Sequence, residues 1–298
     1  MKKIAIVTIN YNSEKTTQNF LDSIKKEKSA DFSVKVIVVD NGSEKLFKTE
    51  DSVMVIRSEK NTGFSGGCNL GIKKAMDDGA DYILLINNDT TVDQNLIKDL
   101  LEVFENDSKI GIATPKIYFS KGSEFHKDKY QKSDLGKVLW FAGGKMDWDN
   151  AKSLHIGMDV VDNGQYDNLQ KIDFATGCCM MIRSEVLKRV GLFDEKYFLY
   201  YEDADLSQRV LRAGFEMYYV PDAVVFHDNA GSSGSGSELH DYFLTRNQML
   251  FGMKYAPIKT KIALLRQSFN LLLTGRKHQK KGIQDYYFRK FGKGTYFE

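Results

Sequence analysis

The chain has 298 residues, 42% apolar and 28% charged, with a net charge of +2. That composition can bury one large core or two modest ones, and it excludes a disordered chain or a fibre. The charge is uneven: Lys254 to Glu298 holds 11 Lys/Arg against 2 acids, leaving 31 against 38 in residues 1–253, so a mildly acidic body precedes a strongly basic tail.

Lys3 to Ile9 reads as a first strand; the polar residues that follow stop the apolar run too early for a signal peptide, and no small-residue cleavage site follows. Ser13 is an N-cap signal for a helix from about Glu14 to Lys26. Val34 to Val39 is a second strand, ending in Asp40, Asn41, Gly42 and Ser43, and Val53 to Ile56 is a third. A Gly-rich stretch from Asn61 to Asn69 then leads into a helix from about Cys68 to Met76. Tyr82 to Ile86 is an unbroken apolar run of strand length, ending in Asn87, Asn88 and Asp89. Strands alternating with helices in this way predict a parallel sheet with right-handed crossovers.

Three of these strands end in polar clusters: Thr8/Asn10/Asn12, Asp40/Asn41/Ser43 and Asn87/Asn88/Asp89. One such cluster is ordinary turn chemistry. Three on one rim of one sheet point to a ligand crevice, because open α/β sheets bind ligands beyond the carboxyl ends of their strands.

Pro115 to Phe174 loses the alternation and is expected to hold short strands beside the crevice, with Trp140 and Trp148 either offering a sugar platform or sealing a small core. Gly177 to Ile182 reads as a strand and Arg183 to Val190 as a helix closed by Gly191. Glu202, Asp203 and Asp205 open a further helix; one cap is enough, so the excess of acid suggests a general base, a cation site, or both. Tyr218 to Phe226 is a strand followed by His227, and the Gly/Ser run from Gly231 to Ser237 reads as a lid rather than a connector. A helix from Asp241 to Tyr255 carries Arg246 and Asn247. In the tail, Ile258, Ile262, Leu265, Phe269 and Leu272 fall at helical spacing among basic residues, fitting either packing on the body or an interfacial helix on anionic lipid. No nucleic-acid recognition motif accompanies the basic charge, so no nucleic acid partner is expected. No run reaches the ~20 apolar residues of a membrane span. Cys68, Cys178 and Cys179 form no disulfide framework and no metal spacing, so a cytoplasmic, reducing setting is expected, with peripheral contact at the inner membrane face.

Asp40 thus offers an acceptor for a nucleotide base, Asp89 and His227 ligands for one divalent cation, and the acid cluster a base for a hydroxyl proton. Displacing a nucleoside diphosphate by a hydroxyl requires those parts. The segments Thr8-Ile9-Asn10-Tyr11-Asn12, Asp40-Asn41-Gly42-Ser43, Asn61 to Gly67, Asn87-Asn88-Asp89, Gly177 to Ile182, and Tyr200 to Leu206 with Arg209 and Gly214 resemble, in order, the family 2 glycosyltransferases of the GT-A fold, in their rhamnosyltransferase-like branch.

The resemblance implies an α/β architecture with a Rossmann-like, mostly parallel central sheet, helices on both faces, a small additional sheet beside the crevice and a C-terminal helical tail. It implies a GT-A domain over 1–253, divided into a nucleotide-sugar half (1–114) and an acceptor half (115–253), with 254–298 as a basic extension. Asp203 is implied as the catalytic base of an inverting reaction, supported by Glu202 and Asp205. The implied donor contacts are Thr8, Asn10, Asn12, Asp40, Asn41, Asn61, Gly63, Gly67, Asn69, Asn87, Asn88, Arg209 and Arg246. Arg209 could equally pair with a neighbouring acid. Asp89 and His227 would hold Mg²⁺ or Mn²⁺, Asn87 standing where the family often has an acid, and Trp140, Gly177 and Tyr201 would lie on the acceptor side. The donor is expected to be a nucleoside diphosphate-sugar, dTDP-rhamnose first and a UDP-hexose or UDP-N-acetylhexosamine second. The acceptor is expected to be a surface-polysaccharide or lipid-linked glycan, contact with anionic membrane running through 258–293. A sugar nucleotidyltransferase is disfavoured because no Lys/Arg-bearing phosphate loop follows the first strand. A dinucleotide oxidoreductase lacks its G-x-G-x-x-G there, and a non-catalytic binding protein would not need Asp89, Asp203 and His227 together.

Overall fold

The computed structural model describes residues 1–25, 31–228 and 237–297, with the side chains of Asn106 and Lys127 excepted. The predicted lid therefore lies outside the described residues except for Ser237, whose hydroxyl caps the following helix by accepting from the His240 N–H.

The amino-terminal half follows the predicted alternation. It runs β1 (Lys2–Asn10), α1 (Glu14–Ile24), β2 (Phe32–Asn41), β3 (Val53–Ser58), α2 (Gly63–Asp77), β4 (Tyr82–Ile86), β5 (Thr90–Val92), α3 (Leu96–Asn106) and β6 (Ile110–Phe119). Short strands β7 (Leu139–Phe141), β8 (Gly144–Asp147), β9 (Lys152–His155) and β10 (Gln170–Ile172) come next. After them lie β11 (Cys179–Arg183), α4 (Ser184–Val190), α5 (Glu202–Arg212), β12 (Glu216–His227), α6 (Glu238–Tyr255), α7 (Ile258–Thr274) and α8 (Lys277–Tyr287).

The main sheet has the order β10-β12-β6-β11-β4-β1-β2-β3, with β5 added to β12 and β7 to β6; β8 and β9 form a separate two-stranded sheet. Pairings of β1 with β2 and β4, of β2 with β3 and of β6 with β12 are parallel. β11 enters antiparallel between β4 and β6. The unbroken apolar run of β4 is explained by this position, since all five of its residues are buried. Pro221 lies where the β12–β6 register breaks between Val220 and Val224, a bulge that accommodates a residue without an N–H.

One boundary departs from the sequence reading. The Gly-rich stretch is not a loop before a helix: α2 already starts at Gly63, so Ser65, Gly66 and Gly67 are helical. Close packing explains why helix-disfavouring glycines are used there. A Cβ on Gly71 would lie 2.3 Å from Val7 Cγ1, and one on Gly63, whose φ is +76°, would lie 2.3 Å from the Phe198 carbonyl oxygen.

Candidate active site

Parallel pairing brings the carboxyl ends of β1, β2 and β4 to one rim, where side-chain hydrogen bonds knit them together. Asn10 Nδ2 donates to Asp40 Oδ1 and Ser43 Oγ, both at 3.2 Å, while Asn10 Oδ1 accepts from Ser13 and Thr17. Asn88 Nδ2 donates to those same two hydroxyls at 2.8 and 2.7 Å, tying the end of β4 to α1. Asn12 receives the Glu44 N–H and gives its own N–H to Ser43. Asn41 accepts from Thr62 and donates to the Gly63 carbonyl, and Asn61 accepts the Gly63 N–H, so β2 positions the start of α2. Asn69 reaches further, to the Phe193 backbone and Glu195. Thr8 Oγ1 is buried at this rim without a hydrogen-bond partner.

Asp40 is fully buried. Burial pushes its carboxyl up, but the Ser43 hydroxyl, the Phe47 N–H and the Arg57 guanidinium outweigh that and hold it below the usual carboxylate range. Arg57, on β3, also donates to the Ser43 carbonyl and was not singled out from sequence; no motif marks it, since its role comes from β2–β3 register, which pairs Asp40 with Arg57.

Asp89 and His227 stand about 140 residues apart in sequence and meet in the structure. β5 pairs antiparallel with β12 so that Thr90 opposes His227, and the Asp228 N–H donates to the Asp89 carbonyl at 2.7 Å. His227 Nε2 lies 3.2 Å from Asp89 Oδ1. Oδ1 is nevertheless buried and accepts no aligned hydrogen bond, and His227 Nδ1 is also without one. A carboxylate oxygen and an imidazole nitrogen converging without bonding each other form a donor set that fits a divalent cation. No group of three or more His, Cys, Asp or Glu able to hold a metal exists among the described residues, so a cation here would take its remaining ligands from diphosphate and water. Trp140 is wedged edge-on between His155 and His227, with ring centroids 4.4 and 4.8 Å away. Desolvation pushes His155 down to about 4, so it stays neutral beside His227. Trp148 instead stacks on Phe251 of α6, the sealing role.

The three acids at the start of α5 occupy three different environments. Asp205 is fully buried and accepts from Arg209 Nε (2.8 Å), Lys254 Nζ (2.6 Å), Tyr255 OH (2.8 Å) and Tyr197 OH (3.3 Å). These partners outweigh its desolvation and hold it below the usual range. Glu202 is buried, and its Oε2 has no hydrogen-bond partner; burial, and then the charge of Asp203, push its carboxyl well up. Asp203 is half-buried, accepting the Gly177 N–H at 3.0 Å and the Ala204 N–H at 2.8 Å; desolvation raises it despite those bonds. The segment before β11 links this cluster to the β4 rim, because the Asn87 N–H donates to the Cys178 carbonyl while the Gly177 N–H serves Asp203.

The segment leading into α5 is strained: Phe198, Tyr200 and Tyr201 have φ of +63°, +68° and +73°. Asn247 of α6 over-determines it, its Nδ2 donating to the carbonyls of Tyr197, Leu199 and Tyr200 within 2.8–2.9 Å. Tyr201 OH donates to the Ala151 carbonyl.

A family model described as "Glycosyl transferase family 2" matches residues 5–191. This chain belongs to glycosyltransferase family 2. Among curated proteins, it is 27% identical over 213 residues to the low-salt glycan biosynthesis hexosyltransferase Agl10 of Haloferax volcanii, covering 70% of this chain and 62% of that protein. It is 24% identical over 250 residues to the N-acetylglucosaminyl-diphospho-decaprenol L-rhamnosyltransferase of Mycobacterium tuberculosis, covering 80% of each. Among solved structures, it superimposes on GalNAc-T7 with UDP, GalNAc and Mn²⁺ at a TM-score of 0.61 and 15% identity, covering 97% of this chain and 57% of that one. The fold is GT-A.

One expectation for this glycosyltransferase is corrected, and the open choice at Arg209 is decided in favour of its neighbouring acid. Arg246 was expected near phosphate, but it is fully buried, its guanidinium donating to the carbonyls of Lys196, Tyr197, Lys290 and Gly292 and to Asn247. Arg209 likewise commits its donors to Asp205 and to the carbonyls of Val190, Gly191 and Leu192. Both arginines brace the acid-bearing segment. The Gly177 N–H orients Asp203. Gly67 packs closely on Asn41, where a Cβ would lie 3.0 Å from Nδ2.

Proposed function

We propose that this glycosyltransferase moves a sugar, rhamnose or another deoxyhexose, from a nucleoside diphosphate-sugar onto a hydroxyl of a surface-polysaccharide or lipid-linked glycan, with inversion at the anomeric carbon. The observation that carries the reading is the partition of the acid cluster. Of three carboxylates, only Asp203 keeps partial exposure, is oriented by backbone N–H donors and has no cation paired to it among the described residues. Desolvation raises its proton affinity, which suits a general base. The acceptor oxygen forms its bond to the anomeric carbon as the bond to the diphosphate oxygen breaks, and the hydroxyl proton passes to the Asp203 carboxylate.

Asp89 Oδ1 and His227 Nε2 are the residues that would hold the divalent cation, Mg²⁺ or Mn²⁺. When bound, such an ion neutralises charge on the departing diphosphate. Asn12 and Asn88 stay accessible at the rim assigned to the donor, with Thr8 and Asn10 buried behind them, and Trp140 beside His227 suits a sugar face. The mycobacterial relative, named as an L-rhamnosyltransferase acting on a decaprenyl diphosphate-linked sugar, supports dTDP-rhamnose as first candidate donor and a lipid-linked acceptor.

A thermal-shift screen of dTDP-rhamnose, UDP-hexoses and UDP-N-acetylhexosamines with and without Mn²⁺ tests the donor assignment. The expected result is a Mn²⁺-dependent rise in midpoint with dTDP-rhamnose that Asp89→Ala abolishes. A larger rise with a UDP-sugar would overturn the deoxyhexose assignment, and an undiminished rise in Asp89→Ala would overturn the cation site.

A further inference from the structure

The tail packs on the body, one of the two readings its sequence allowed. One face of α7 packs inward through Thr260, Leu264 and Ser268, the Thr260 hydroxyl donating to the Trp148 carbonyl. The other face is open: Ile258 is 74% exposed, Ile262 45%, Phe269 61% and Leu273 78%. Their spacing of four, seven and four residues aligns them in one stripe along the helix. α8 widens the stripe at its side, since the Tyr287 ring lies 6.2 Å from Phe269 and the neighbouring Phe288 is 75% exposed. Scattered exposed apolar residues are normal on a protein surface, but a continuous patch of this kind marks a docking surface.

Charge identifies what covers it. Lys259 and Arg266 flank the stripe on α7 and are exposed, and neither has an ion-pair partner among the described residues. Lys277 and Lys290 add exposed positive charge on and just beyond α8. Asp285 is the one acid among the described residues from 254 onward, and it is buried, accepting from Tyr242 and Thr295. A two-fold contact with a second copy would press this cationic surface against itself, with no exposed acid on α7 or α8 among the described residues to offset it.

We propose that the open face of α7, with Tyr287 and Phe288, docks in the plane of an anionic lipid bilayer. The apolar stripe enters the headgroup boundary while the flanking cations meet the lipid charge. No helix among the described residues is long and apolar enough to cross a membrane, so the contact is peripheral. The docked surface is coupled to the acid cluster through α6. Its carboxyl end supplies Lys254 and Tyr255 to Asp205, its middle holds the Tyr197–Tyr200 carbonyls through Asn247, and Arg246 joins Lys196 to Gly292. A lipid-linked acceptor would thereby meet Asp203 at a fixed orientation, a consequence that rests on the transferase reading, whereas the docking itself does not.

Sedimentation of the full chain with vesicles of phosphatidylcholine alone, or mixed with phosphatidylglycerol, tests the proposal. Binding is expected to the mixed vesicles only and to weaken with added salt. The triple variant Ile262→Ser/Phe269→Ser/Leu273→Ser should bind about tenfold more weakly or worse, and Lys259→Gln/Arg266→Gln should lose the preference for phosphatidylglycerol. All three substituted apolar residues are exposed, so the triple variant should keep the wild-type thermal midpoint and donor-induced shift, which separates failure of docking from failure of the donor reading. Absence of wild-type binding to the mixed vesicles would overturn the proposal, as would undiminished binding by the triple variant. A concentration-dependent dimer abolished by the triple substitution would assign the face to a second copy instead.

Discussion

Glu202, Asp203 and Asp205 lie within the first turn of one helix, yet each is held in a different electrostatic state. Helix N-terminal N–H groups favour negative charge, but burial decides the rest. Asp205 is compensated by Arg209 and Lys254, Glu202 is buried with no paired cation among the described residues, and Asp203 is only half-buried. The raised proton affinity of Glu202 leads to a prediction whose sign follows from linkage. Its folded-state proton affinity is raised above the ordinary glutamate value of 4.5, so the native protein retains this proton after the unfolded chain has released it. Stability contributed by the protonated group is therefore present in full below that value and is lost as pH rises toward the folded-state pKa. Glu202→Gln, which fixes the neutral form, should raise the unfolding midpoint relative to wild type more at about pH 8 than at about pH 5, and should retain turnover within about tenfold. A stability difference that does not change with pH would contradict the raised proton affinity of Glu202.

At the scale of elements, the fit of α2 against β1 and β2 fixes where the rim residues stand. Gly71 lets the helix approach until Val7 and Val39 would touch a Cβ, at 2.3 and 3.1 Å. Gly71→Ala should accordingly destabilise by about 1–3 kcal/mol, through overpacking against β1, seen as a lower denaturant midpoint with unchanged m-value. At the same scale Asp205→Ala should cost about 3 kcal/mol or more, because it strands the buried partners of the carboxylate; urea unfolding measures this as well. The strands and the rim were legible from sequence, since apolar runs ending in Asn and Asp specify a buried parallel strand and its polar end. The early start of α2 was not, because three glycines in five residues oppose helix by local preference and only the approach of Phe198 and β1 makes them necessary. The bracing role of Arg246 was equally hidden, whereas the pairing of Arg209 with an acid was one of its two readings. A guanidinium looks the same in sequence whether it faces a phosphate or a set of carbonyls, although the four-residue spacing of Asp205 and Arg209 did carry a signal.

At the scale of the whole molecule, the site is assembled from segments far apart in sequence. β5 and β12 bring Asp89 to His227, residues 177–178 connect Asn87 to Asp203, and α6 fastens the strained approach to α5 onto the tail. The motifs were readable in chain order, but their division of labour depends on this tertiary arrangement, most clearly in the choice among the three acids. That choice is the centre of the account. The most direct test compares wild type with Asp203→Asn in the presence of Mn²⁺ and the donor selected by the screen, measuring nucleoside diphosphate release alongside donor affinity. Asp203→Asn should bind the donor nearly as tightly as wild type while turnover falls by about a thousandfold. Turnover that survives the substitution, or donor binding that is lost with it, would contradict the assignment of Asp203 as the base.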